Sequence, residues 1–134
     1  MSDLAKLVEN LKDENAKIRA KAAFGLKKLG DASAVPALKE ALQDTDSDVV
    51  LASAFALGDL VDASSASSLF PLLKSDDERL RSRASEALGK LNSSDAKTPL
   101  FEALENETNP KVGLRMAEAL RKLQDERAIP ILIM

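Results

Sequence analysis

Carboxylates are the natural place to look for catalysis in this chain, because its 134 residues include no cysteine and no histidine. That count alone excludes thiol nucleophiles, imidazole bases, disulfides and Cys/His metal sites. The densest acidic cluster is Asp76-Asp77-Glu78. Adjacent carboxylates can hold a cation or share a proton. Here Ser75 precedes them, and Ser75 with Glu78 has the spacing of a capping box, so the cluster reads as a helix start. No Gly-rich phosphate loop and no nucleophile elbow occurs, and no carboxylate pair has a spacing that argues for hydrolysis. The expectation is a non-enzyme, with no catalytic residue, no metal and no cofactor.

Binding chemistry is better represented. Phe24 and Phe55 lie 31 residues apart, in a chain with only four phenylalanines, no Trp and no Tyr. Glu86 and Glu118 continue that row, and Ala20, Leu51, Ser82 and Leu114 form a second. Cations recur at the same spacing in three more: Lys17, Asp48, Arg79, Lys111; Lys21, Ala52, Arg83, Arg115; and Lys28, Asp59, Lys90, Lys122. An aromatic anchor with flanking Arg is the usual makeup of a binding hot spot. The partner-binding set is therefore Phe24, Leu51, Phe55 and Leu114 with Lys17, Lys21, Arg79, Arg83, Lys111 and Arg115. A second reading stands beside it: the two Phe stack on each other as core, and the basic rows are solvated helix faces.

The elements that must carry these rows are written in the same period. Ile18-x-x-x-Ala22-Ala23-x-x-Leu26-x-x-Leu29 returns from Val49, from Leu80 and from Val112, after steps of 31, 31 and 32 residues. Ahead of each copy runs a second apolar pattern, beginning at Leu4, Val35, Leu69 and Leu100. Both patterns have helical spacing. A fixed period of this size means stacked helix pairs, since no single pair can bury its own apolar face. The expected fold is all-α: a right-handed α-solenoid of antiparallel helix pairs. It forms one domain over 1–134, with repeats at about 1–30, 31–61, 62–92 and 93–124 and a partial fifth at 125–134. We call the first helix of each pair A and the second B. Asn109-Pro110, Thr98-Pro99 and Ser33 with Pro36 read as further helix starts. Gly58 and Gly89 fall inside B helices, where they permit close helix approach.

These residues resemble the short HEAT-like repeats of the phycobilisome-lyase type. Ile18-Arg19-Ala20-Lys21-Ala22-Ala23 with Gly30-Asp31 carries the resemblance in repeat one, and Ala56-Leu57-Gly58-Asp59-Leu60 in repeat two. Leu80-Arg81 with Ala87-Leu88-Gly89-Lys90-Leu91 carries it in repeat three, and Asp125-Glu126-Arg127-Ala128-Ile129-Pro130 at the C-terminus. The resemblance implies that B helices line the concave face, and that an Arg in each repeat pairs with loop carboxylates. Val50 and Gly113 replace that Arg, so repeats two and four should be looser there. Some relatives attach or remove bilin pigments and many others only bind proteins.

The expected function is a protein–protein interaction scaffold that binds a partner segment, acidic and amphipathic, on the face of the B helices. The alternative is a subunit or chaperone of a bilin lyase-like system. Nucleic acid ranks last, because the net charge is −3, the pI about 5.1 and stacking Trp and Tyr are lacking. No apolar run approaches the roughly 20 residues a membrane helix needs, and no signal-peptide pattern occurs, so the expected setting is the cytoplasm. Ile129–Met134 reads as truncation or as a self-association segment, rather than as a finished polar cap.

Overall fold

The computed structural model describes residues 2–124. Four A helices, α1 (Asp3–Asn10), α3 (Val35–Ala41), α5 (Ala66–Leu69) and α7 (Lys97–Asn106), alternate with four B helices. The B helices are α2 (Ala16–Leu29), α4 (Ser47–Leu60), α6 (Glu78–Leu91) and α8 (Pro110–Lys122). No strand occurs among the described residues. The fold is the all-α solenoid that the period requires. The partial fifth repeat and the Ile129–Met134 segment lie outside the described residues.

Short loops return each A helix onto its own B helix, and every B helix packs along the next one. A helices meet their A neighbours at far fewer points. The B layer is therefore the tighter one. Glycine sets this spacing. A Cβ on Gly58 would lie 3.0 Å from the Cβ and 3.1 Å from the Cα of Ala87. One on Gly89 would lie 3.3 Å from both the Cα and the Cβ of Ala119.

The core is a file of equivalent side chains. Leu26, Leu57, Leu88 and Leu120 are fully buried in the B helices, as are Leu38, Leu69 and Leu100 in the A helices. Each such leucine contributes about 1.5–3 kcal/mol by leaving water. Ser53 and Ser85 are buried in the same layer, and each hydroxyl donates to a carbonyl four residues back, on Val49 and Arg81, at 2.8 Å. Pro71 has no N–H to continue α5, so the chain tightens there into a 3-10 segment, Phe70–Lys74.

Every B helix starts the same way. Asn15, Asp46, Asp77 and Asn109 are the N-caps, each accepting from the N–H two residues on. Two residues before each cap, Asp13, Asp44, Ser75 and Glu107 accept from the cap's own N–H. This corrects the capping box: Ser75 prepares the cap, Asp77 is the cap, and the Glu78 carboxylate instead accepts from Asn109 Nδ2. Neither Ser33 nor Thr98 is a cap. Asp31 accepts from the Ser33 N–H in a 3-10 turn ahead of α3, and α7 begins at Lys97 behind Ala96. A residue with an acceptor two positions upstream closes such a turn without needing the capping-box spacing.

The B helices end in the left-handed region at Gly30 (φ 70°), Val61 (φ 51°) and Asn92 (φ 54°). Gly and Asn tolerate this conformation, whereas a β-branched side chain is strained in it. Val61 is 60% exposed, so its side chain gains little in return. Val61→Gly should stabilise the chain by about 1 kcal/mol, read as a raised midpoint in urea with an unchanged slope.

Candidate functional site

The stacking of B helices brings side chains one repeat apart into contact. Phe24 and Phe55 meet edge to face, with ring centroids 6.2 Å apart and planes at 79°. Both alternatives for this pair are thus partly realised. The rings stack on each other, yet at the surface, with Phe24 41% exposed. Three cations surround Phe55: Lys27 Nζ stands 4.4 Å from the ring centroid, Arg83 Cζ 4.0 Å and Lys90 Nζ 5.7 Å. Such contacts are worth about 0.5–1 kcal/mol at exposed sites.

Beside this aromatic pair a groove of about 400 Å³ runs over α6 and α8. Leu51, Arg79, Arg83, Lys111 and Arg115 line it together with Ser82, and so do Glu78 and Glu86. Five of the ten residues in the partner-binding set therefore meet in one concavity, and Phe55 joins it through Arg83. Leu114 is 53% exposed on α8, outside the groove lining, and Lys17 and Lys21 are exposed at the far end on α2.

Not all of the positive charge is free. Arg79 bonds to Asp77 at 2.9 Å and to Asp48 at 3.1 Å, and these hydrogen bonds, Asp77's first, raise its guanidinium above the ordinary arginine range. Lys90 holds Asp59 at 2.9 Å, and Arg83 holds Glu86 at 3.4 Å. Asp48 and Asp59 break the basic rows and tie neighbouring repeats together. Among the described residues, Lys111, Arg115, Lys17 and Lys21 form no ion pair. The change of sign from Asp48 to Arg79 was the visible signal that this step of the row is an inter-repeat pair.

Two further clamps hold the array. Arg19 donates from Nε and Nη2 to the Asp44 carboxylate at 2.8 and 3.0 Å, and from Nη1 to the carbonyls of Asp13 and Glu14. Arg81 repeats this with Glu107 at 2.8 and 3.1 Å and with the carbonyls of Ser75 and Asp76. Val50 and Gly113 occupy the equivalent positions in repeats two and four. The described residues hold no group of His, Cys, Asp or Glu arranged for a metal, and Asp77 is spent on capping. No described helix is long and apolar enough to cross a membrane.

A family model described as HEAT repeats matches residues 4–87 and 66–134. The chain belongs to the HEAT-repeat family. This HEAT chain is similar in structure to the complex of CpcE and CpcF of phycocyanin lyase from Nostoc sp. PCC7120. The TM-score is 0.82 and the identity 26%, over 96% of this chain and 55% of that one. The chain spans about half the length of that relative. An engineered protein matches at a TM-score of 0.72 and 27% identity, over 99% of this chain and 69% of that one. Human deoxyhypusine hydroxylase shares the fold at a TM-score of 0.74 and 23% identity, over 91% and 43% of the two chains. No curated protein sequence matches it significantly.

Proposed function

We propose that this HEAT array is a non-enzymatic scaffold that holds an acidic, amphipathic protein segment on its B face. The observation that carries the reading is the groove over α6 and α8, where the unpaired Lys111 and Arg115 stand opposite the half-buried Leu51. An acidic helix laid there would meet cations along one edge and an apolar seat along the other. This is the helix-in-groove mode of recognition. The charge would set the on-rate and register, and the apolar contact most of the affinity.

A panel of fluorescent acidic amphipathic peptides, titrated against the chain, tests it. Lys111→Glu with Arg115→Glu should weaken the best binder at least about tenfold, or ~1.4 kcal/mol, and high salt should do part of the same. Equal affinity of wild type and double variant for every peptide would refute the groove. A second reading, a subunit or chaperone of a bilin lyase-like system, rests on the likeness to the phycocyanin-lyase complex over 96% of the chain. Its check is the absorbance of a bilin with chain and pigment apoprotein present. A spectrum that the chain leaves unchanged removes that reading.

A further inference from the structure

The α6–α8 groove holds more positive charge than a single carboxylate needs. Arg79, Arg83, Lys111 and Arg115 line it with only Glu78 and Glu86 against them, which leaves two positive charges in one seat of about 400 Å³. The helix period explains the arrangement. Arg79 and Arg83 stand one turn apart on α6, as Lys111 and Arg115 do on α8, and the two helices pack along each other. The four cations form one patch, two from each helix.

Hydrogen bonding separates the arginines by task. Arg19, Arg79 and Arg81 each make four side-chain hydrogen bonds within the array. Arg83 is not engaged in this way. Its guanidinium lies over the half-buried Phe55 ring, with Cζ 4.0 Å from the centroid. One nitrogen reaches Glu86 as an ion pair of 3.4 Å, and Nε is buried with no hydrogen-bond partner among the described residues. Stacking on a ring holds the plane of the fork before a ligand arrives, and leaving its donors unpaired costs free energy. Lys111 and Arg115 form no ion pair among the described residues. Glu86 can also release Arg83, because Lys90 stands 3.7 Å from the same carboxylate oxygen.

A carboxylate is satisfied by one arginine fork. A phosphate monoester carries about −1.5 to −2 charges at neutral pH and three strong acceptor oxygens. It can engage Arg83, Lys111 and Arg115 together, and it matches the charge that the seat leaves over. A nucleic acid spreads its charge along a strand and calls for a basic stripe. Here Glu78 and Glu86 interrupt the patch, and the chain carries a net charge of −3.

We infer that the groove selects a phosphorylated protein segment, with the phosphate of a phosphoserine or phosphothreonine held by Arg83, Lys111 and Arg115 and an apolar neighbour seated on Leu51. This rests on the reading of the groove as a segment-binding site and names the group that it recognises. Arg83 is the residue that tells phosphate from carboxylate.

Three fluorescent peptide libraries, degenerate except for a central Ser, Glu or phosphoserine, separate the two claims. The phosphoserine library should bind at least about tenfold tighter than the Glu library. Arg83→Gln should reduce that preference to about twofold or less, with the helical circular dichroism kept. Glu86→Gln removes the competing carboxylate and should raise phosphoserine affinity by about threefold. Equal binding of the Glu and phosphoserine libraries overturns the phosphate assignment and leaves the groove reading in place. Binding by none of the three overturns both. A preference that survives Arg83→Gln in the folded chain overturns the assignment, and so does a mixed-sequence oligonucleotide that binds tighter than the phosphoserine library.

Discussion

Arg81→Val should cost the chain about 3 kcal/mol, while Arg81→Val combined with Glu107→Ser should recover most of that loss. The Glu107 side chain is only 3% exposed, and two of its hydrogen-bond partners are the Nε and Nη2 of Arg81. Removing the guanidinium leaves a buried carboxylate uncompensated, and breaking such a pair from one side typically costs about 3–5 kcal/mol. The Asn109 N–H still bonds to it, which places the expectation at the lower end. Taking both charges away is different, because an apolar replacement for a buried pair is often neutral. The chain already contains that solution. At the junction of repeats two and three the equivalent of Arg81 is Val50, 5% exposed, and the equivalent of Glu107 is Ser75. Ser75 still accepts from the cap N–H at 3.1 Å, so the helix start survives without the carboxylate. The double variant copies one junction onto another. Urea unfolding of the two singles and the double gives the coupling energy directly; additive losses would mean that the pair is not what holds this junction.

The same pair fixes a pH dependence. The Arg81 hydrogen bond, followed by that from the Asn109 N–H, holds the Glu107 carboxyl below its ordinary value of 4.5, against the opposing effect of burial. Asp44 is lowered in the same way, first by its hydrogen bond from Arg19. A carboxyl depressed on folding contributes stability that is fully present above its unfolded pKa and is lost as pH falls through the folded one. Stability should therefore be flat from neutral pH to about 5 and fall below about 4.5. The Arg81→Val/Glu107→Ser chain should show a shallower fall.

Much of this was legible from spacing. The period alone places Phe24 beside Phe55, Asp59 beside Lys90, and five of the ten candidate residues in one groove, because stacking turns sequence distance into contact. What the rows could not show is which cations are already engaged. Arg83 and Arg115 share a row and each has a Glu three residues on, yet Arg83 holds Glu86 while Arg115 has no ion pair among the described residues. That difference depends on side-chain reach, not on position. The aromatic pair escaped in a similar way. Periodicity fixes which residues adjoin, but not whether the ring lies above or below the layer surface, and here Phe24 and Phe55 stack on each other and remain partly in solvent. The caps of α3 and α7 were misplaced because a 3-10 turn precedes each helix, a device with no apolar period of its own.

Gly58→Ala should destabilise the chain, and Gly113→Ala should stabilise it, although both put the same methyl group into a helix. Intrinsic propensity favours alanine by about 1 kcal/mol at either site. At Gly113 nothing opposes the gain, since the nearest atoms to the new Cβ are Leu104 Cδ1 at 3.8 Å and Glu107 Cγ at 4.0 Å, both ordinary contacts. At Gly58 the Cβ meets Ala87 at 3.0 and 3.1 Å, and the second of these atoms is backbone. Side-chain rotation cannot relieve that contact, so α4 and α6 must separate. Overpacking of this kind costs about 1–3 kcal/mol, which leaves a net loss near 1 kcal/mol, and Gly58→Val should lose about 3 kcal/mol or more. Gly58→Ala with Ala87→Gly should return most of the loss, because it moves the methyl from one helix to the other at the same point. The consequence reaches the groove, whose Leu51 comes from α4 while Arg83 and Ser82 come from α6. Forcing those helices apart widens the seat between the apolar and the basic edge. A peptide that binds there should therefore lose affinity in Gly58→Val and recover it in the Gly58→Ala/Ala87→Gly pair. Unchanged peptide affinity in a folded Gly58→Val chain would mean that the B-layer spacing does not shape the site.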